Sequence, residues 1–462
     1  MAFVAVHAWT LVLGVLLIPA RAFWDLDLYR WWAWQGLHEG TWQGIDSAWV
    51  YPPAAWLPIL GGSWAGTTST EGYATAWSLM ITALDAVALF ALLHTPAWAG
   101  RATSGRATTR GAWWWLAFLA LLGPVSMGRL DAVVAPVVVV ALVLGLRHPW
   151  LSSALLTLGA WIKVAPGALI VPLLLAARKP WRDVIAPAAA VSAVVVGTVV
   201  ALGGSPYLTS FLTEQDQRGL QLEAVGATPW LVGSLLTDRI SIVLNQQLVS
   251  WELHGPGTQA AADTIGSLFF LALAAATLFL WWRRHELDGL LWVRPRVGAE
   301  LLVRGALLMA TVMIVFNKVG SPQYIGWLAP PVAVALALRL PRWRTSAILL
   351  AVIAGTTQIV FPWGYDGITG YHPANVLVLV ARNVALVVLL VHTVVELLHR
   401  PEEAQQPDEP SAESQPDESR ADAAATNASS AARDVPSSIA SSDSDSSSVQ
   451  AFDASSGPAS AR

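Results

Sequence analysis

The stretch FWDLDLYRWWAWQ, residues 23–35, sets the reading of the whole chain. It follows an apolar run from Phe3 to Ala20 that contains no Asp, Glu, Lys or Arg. Such a run is about long enough to cross the hydrocarbon core as a helix. It resembles a signal peptide at Ala20-Arg21-Ala22, but it lacks the basic leading segment a signal peptide requires, so it reads as a membrane helix. Asp25, Asp27, Tyr29 and Arg30 then arrive among Trp24, Trp31, Trp32 and Trp34. Indole rings favour the membrane–water boundary, so they would dock this segment there and restrict water around the acids. Restricted hydration raises a carboxylate's proton affinity and suits a general base. Ordinary solvated acids at a helix exit account for Asp25 and Asp27 equally well on composition alone.

Of the 462 residues, 55% are hydrophobic and 13% charged, and mean hydropathy is +0.53. Soluble chains carry about 25% charged residues, so this is an all-α polytopic membrane protein. The absence of cysteine excludes disulfides, thiolate nucleophiles and cysteine metal sites. Apolar runs predict about twelve helices, near 3–20, 76–93, 112–124, 131–146, 151–163, 165–177, 183–203, 264–282, 302–317, 324–338, 345–361 and 375–397. Fifteen basic residues fall in the loops on one side and eight on the other; the four from Arg400 onward complete the 27. The basic-rich side is cytoplasmic by the positive-inside rule, which places both termini inside the cell membrane. The longer loops, 21–75 and 204–262, then face outside, with the shorter 125–130, 317–323 and 361–374. Residues 1–400 form the membrane domain. Residues 401–462 hold 12 acids against Arg420, Arg433 and Arg462, a net of −9. With few large apolar side chains this acidic Ser/Ala/Pro-rich segment is expected to be a disordered cytoplasmic tail.

Most polar residues that call for an explanation sit on the outer side. WVYPPAAW (49–56) fixes Tyr51 in extended backbone ahead of a tandem proline. GRLD (128–131) supplies Arg129 and Asp131, a local ion pair or part of a site. WIKVAP (161–166) leaves Lys163 between two apolar segments, where a cation either snorkels to the interface or meets a cavity. RGLQLE (218–223) brings Arg218, Gln221 and Glu223, and FNKVGSPQY (316–324) brings Asn317, Lys318, Gln323 and Tyr324. There is no phosphate-binding glycine loop, dinucleotide fingerprint or zinc-protease motif, and nothing suggests nucleic acid. Scattered carboxylates and cations are what sugar transfer from a lipid phosphate needs. A base removes the acceptor proton, and cations stabilise the departing phosphate. Asp25 and Asp27 are the candidate bases, and Arg129, Lys163, Arg218 and Lys318 the phosphate ligands. Tyr29, Arg30, Tyr51, Asp131, Gln221, Glu223, Asn317, Gln323 and Tyr324 are candidate substrate contacts. No motif points to a particular cofactor, and two carboxylates could hold a divalent metal.

In their order along the chain, DLDLYR (25–30), YPP (51–53), Gly128-Arg129, Lys163 with Pro166, RGLQ (218–221) and NKVGSPQ (317–323) resemble the polytopic GT-C glycosyltransferases. More narrowly, over roughly residues 20–330, the chain is similar to glycosyltransferase family 87, the polyprenyl-phosphate-mannose-dependent α-mannosyltransferases. The resemblance implies a GT-C-like bundle with external catalytic loops. It also implies inverting transfer of mannose from a polyprenyl-phosphate donor to a lipid-linked or cell-envelope glycan such as a lipomannan. The family's catalytic acid falls on Asp25, with Asp27 as second candidate. Arg129 stands where family motifs often have Gln or Asn. The rival from another class is a transporter or flippase of a lipid-linked sugar, but no internal repeat of the kind transporters show is evident. A non-catalytic scaffold would leave the external charges unexplained.

Overall fold

The computed structural model describes residues 1–18, 22–95, 109–145, 147–246 and 250–399. The expected tail, 401–462, lies outside the described residues, as do Arg101 and Arg106 of the basic loops. Within them the chain is a helical bundle. Six helices are long and apolar enough to cross a membrane: Thr70–Leu93, Trp181–Ala201, Thr258–Glu286, Pro295–Val315, Arg344–Trp363 and Pro373–Leu398. Ala2–Leu17, Asp131–Leu144, Pro149–Ile162 and Ala165–Ala176 are shorter apolar helices. Thr109–Leu122 and Ala329–Ala337 complete the set of expected apolar runs, the latter preceded by a 3-10 turn from Pro322 to Leu328.

Burial separates the centre from the rim. The apolar window of Pro295–Val315 is 94% buried, whereas those of Trp181–Ala201 and Thr258–Glu286 are 11% buried and face outward with Val, Leu and Phe side chains. Asp131–Leu144 is also nearly all buried. It packs between Thr70–Leu93 and Pro149–Ile162, so its short length and its internal Pro136 are tolerated inside protein rather than in lipid. Thr70–Leu93 starts where the sequence allows it: the Ser69 hydroxyl accepts from the Gly72 amide at 3.1 Å, and Glu71 sits in the first turn, favourable against the helix dipole.

Two loops are more ordered than their composition suggests. The first, 21–75, holds the helix Trp24–Trp34, whose buried residues Leu26, Tyr29 and Ala33 follow a helical period. The second, 204–262, holds a β-hairpin, β1 (Ser241–Asn245) and β2 (Ser250–His254), in register from Ser241 opposite His254 to Asn245 opposite Ser250. Alternation over five residues is too weak a pattern to stand out in a chain dominated by membrane helices. Far along the chain, Arg304, 1% exposed, pairs with Glu300 and lies 3.8 Å from Glu396, which Arg342 reaches at 3.1 Å. That cluster ties two helices and the turn at Arg342 together at the arginine-rich end.

The first helix fixes the entry of Trp24–Trp34 through one ring. Phe23 lies against Gly14 and Gly128, and a Cβ on either glycine would overlap the ring. Gly128→Val should therefore displace Phe23 and cost about 1–3 kcal/mol of overpacking. A thermal midpoint in detergent equal to that of the unaltered protein would show that the ring is not wedged there.

Candidate active site

The two acids of the opening stretch serve different surroundings because of helix geometry. Residues two apart on an α-helix point about 200° away from each other. Asp25 turns toward the bundle, where its Oδ1 lies 2.8 Å from Arg129 Nη1. Asp27 turns toward the start of Thr70–Leu93. Its Oδ1 accepts from the Thr70 hydroxyl at 2.7 Å and from Arg30 Nε at 2.9 Å, and Arg30 also donates to the Thr67 carbonyl at 2.7 Å. Partial burial works to raise the Asp27 proton affinity, but the Thr70 and Arg30 hydrogen bonds outweigh it and hold the carboxyl below the usual range. A lowered pKa makes a weaker base. The divergence gives the two carboxylates different partners, Arg129 for one and Thr70 with Arg30 for the other. Among the described residues no cluster of three His, Asp or Glu could hold a metal ion.

Asp25 stands beside a second, buried group of charges. Asp131, at the first turn of its helix, and Lys163, at the end of Pro149–Ile162, meet with Nζ 3.6 Å from Oδ2. Trp327 Nε1 donates to the other Asp131 oxygen at 2.7 Å. The ammonium also lies 4.8 Å from the Tyr51 ring centroid and 5.8 Å from that of Tyr324, distances at which an aromatic face attracts a cation. The YPP turn thus holds Tyr51 against Lys163. The Tyr51 hydroxyl is 3.3 Å from that of Tyr29, one helical turn after Asp25. Burial raises the pKa of both phenols; among the charges acting on them, Asp25 reaches both and Lys163 reaches Tyr51. Arg129 is 7% exposed, its guanidinium 5.7 Å from the Phe361 ring, and its Nε has no hydrogen-bond partner. A buried donor without a partner is costly, so this face is suited to an anion. The assembly joins two acids, two cations and three phenols from five separated stretches of chain.

The two later loops are joined to each other first. Gln221 N donates to the Lys318 carbonyl at 3.0 Å, and Gly320 N donates to Gln221 Oε1 at 3.0 Å. Asn317 Oδ1 accepts from Val319 N at 2.8 Å, which tightens the turn. The Gln221 and Asn317 side chains therefore spend hydrogen bonds on the scaffold that carries Lys318. Arg218 is half-buried, with its Nε unpartnered. Gln323 lines a cavity of about 10 Å³ with Asp131, Ser126 and Asp85. Glu223 is fully buried and pairs with Arg382, Nη1 to Oε2 2.9 Å.

Arg382 went unremarked among the candidate residues, as did Tyr365 and Phe361. The signal for Arg382 was available: it is a lone cation in the apolar run 375–397, and charges at membrane depth are paired or functional. The buried His7–Asp85 pair, 2.9 Å, was equally open to that reading.

Residues 49–294, just over half of the chain, match glycosyltransferase family 87. That span contains Tyr51, Arg129, Asp131, Lys163, Arg218, Gln221 and Glu223, but it is narrower than the 20–330 expected and leaves out Asp25 and Lys318. No curated protein matches the chain. Among solved structures, the crystal structure of ArnT from Cupriavidus metallidurans bound to undecaprenyl phosphate resembles it, at 16% identity and a TM-score of 0.43 over 85% of this chain and 77% of that one. A likeness that distant assigns no residue a role. The family match does identify the chain: this multi-pass membrane protein belongs to glycosyltransferase family 87.

Proposed function

We propose that the protein transfers a mannosyl residue, with inversion, from a polyprenyl-phosphate donor to a lipid-linked or cell-envelope glycan, at the outer face of the membrane with both termini cytoplasmic. The observation that carries this reading is the meeting of Asp25 with Arg129, beside Lys163, Tyr51 and Tyr29. In the reaction the Asp25 carboxylate takes the acceptor hydroxyl proton as the acceptor oxygen bonds to the anomeric carbon. The bond from that carbon to the phosphate oxygen breaks, and polyprenyl phosphate leaves with an added negative charge. Arg129 and Lys163 stabilise that charge in a site with little water, where fixed cations act strongly. A phosphate on Arg129 would compete with Asp25 for the guanidinium and so free the carboxylate as base. Tyr29, Tyr51 and Tyr324 offer faces and hydroxyls to the sugar.

A lipid-linked donor also fits the surroundings. An apolar groove of about 940 Å³ runs along Pro149–Ile162 and Trp181–Ala201, lined by Trp56, Leu155, Leu158, Val194 and Val195. From it an aromatic chain leads inward. Trp56 stacks on Trp49 at 5.0 Å between centroids, Trp49 meets Tyr51 at 5.8 Å, and Tyr51 lies against Lys163. A ligand with an apolar tail and an anionic head would match that sequence of surfaces.

The test is turnover of labelled polyprenyl-phosphate-mannose by the purified full chain, read as glycosidic product. Asp25→Asn should lower kcat by about 10²–10⁴, the usual worth of a general base, with the thermal midpoint preserved. Asp27→Asn should lose less than about tenfold, because that carboxylate only holds Thr70 and Arg30 together; equal losses in the two variants would sink the assignment. Arg129→Met should raise the donor KM by about tenfold or more, since charge-assisted bonds to phosphate are the strong ones. An unchanged KM removes Arg129 from the phosphate site, and transport of the donor without any glycoside would favour the flippase reading.

A further inference from the structure

Arg382 poses a problem that folding alone does not answer. It is 2% exposed and sits nine residues into the apolar helix Pro373–Leu398. A buried ion pair is weak evidence for stability, because desolvation offsets most of the attraction. Yet each of its three guanidinium nitrogens has an acceptor. Nη1 donates to the Glu223 carboxylate at 2.9 Å and Nη2 to the Glu223 carbonyl at 2.6 Å, while Nη2 and Nε both reach Asn383 Oδ1, at 2.9 and 3.2 Å. Asn383 passes the contact on to Thr228 at 2.9 Å. The result is a carboxylate gripped through both its side chain and its backbone.

Glu223 in turn faces the two loops that carry cations. Tyr365 and Arg129 both lie within electrostatic reach of its carboxylate. The Tyr365 ring meets Phe361 edge-on at 5.5 Å, and Phe361 lies 5.7 Å from the Arg129 guanidinium. On the other side, Gly320 is pressed on the Glu223 backbone so closely that a Cβ there would overlap it. Gly320 belongs to the turn that carries Lys318. One gripped residue therefore touches the supports of both loops.

We propose that Arg382 and Glu223 form a positioning unit that sets the Arg129 guanidinium, through Tyr365 and Phe361, for an anionic phosphate ligand. This rests on the donor-phosphate reading above, but it assigns Glu223 to the support of a ligand-binding residue rather than to the substrate itself. The alternative is a passive staple holding the 218–224 segment to the last helix.

Undecaprenyl phosphate binding to the full chain in lipid nanodiscs separates the two, with Glu223→Gln as the main variant. Electrostatics alone says that removing a carboxylate near an anion site tightens binding. A positioning role says the opposite: Kd rises by about tenfold, a size of coupling usual for groups in one network. In an Arg129→Lys background the same change should then add less than about twofold, because there is no guanidinium left to place. Tyr365→Phe, the gentler variant should Glu223→Gln fold poorly, should weaken binding in the same direction. Tighter or unchanged binding in Glu223→Gln, or losses that multiply in the double variant, would overturn the positioning role. Turnover measured on the same samples keeps the readings apart. Coupled binding without any glycoside from mannosyl donors sinks the transferase reading alone, and a wild-type chain that does not bind the probe sinks both.

Discussion

The architecture depends on one requirement: a charge carried to membrane depth must find its partner inside the protein. Lys163 and Asp131 meet it by closing the ends of neighbouring helices, 3.6 Å apart, with Trp327 on the second carboxylate oxygen. Stripping either group would leave the other buried and unpaired, at a cost of about 3–5 kcal/mol, a large share of a typical folding free energy. The pair therefore fixes where Asp131–Leu144 and Pro149–Ile162 begin and end relative to each other. Tyr51 and Tyr324 complete the lysine's surroundings, so the loops bearing them inherit their places from it.

The same requirement recurs with a different outcome at Arg129. That guanidinium has Asp25 on one atom and no hydrogen-bond partner on Nε. Lys163 has one carboxylate at 3.6 Å and two aromatic rings within reach, whereas Arg129 keeps an Nε donor with no acceptor. A partly satisfied buried cation is poor design for stability and good design for binding, because an incoming anion completes its shell instead of competing with a finished one.

Much of this was legible in the chain. Long apolar runs and loop arginines announce a membrane bundle, and the helices fall where the runs predict. GRLD and WIKVAP point to residues that do converge, since an unpaired charge in an apolar setting is visible without a structure. What could not be read was partnership across sequence distance. Arg129 and Asp131 look like a local pair, yet their ion-pair partners are Asp25 and Lys163. Asn317 and Gln221 look like ligand-binding amides, but backbone turns claim their oxygens. Asp25 and Asp27 look equivalent until the stretch is known to be helical, and their 200° separation then sends them to different neighbours.

That separation is what the segment after the first helix gains by being helical. An extended strand would instead place residues two apart on one face, putting both carboxylates against the same cation, where like charges oppose each other. As a helix, with Phe23 lodged between Gly14 and Gly128 and Leu26, Tyr29 and Ala33 buried, the segment commits Asp27 to holding Thr70 and Arg30. Asp25 is left as the acid on the interior side, 32% exposed at its side chain and so still within reach of solvent and ligand. A single turn of secondary structure thereby converts two identical side chains into an anchor and a candidate base.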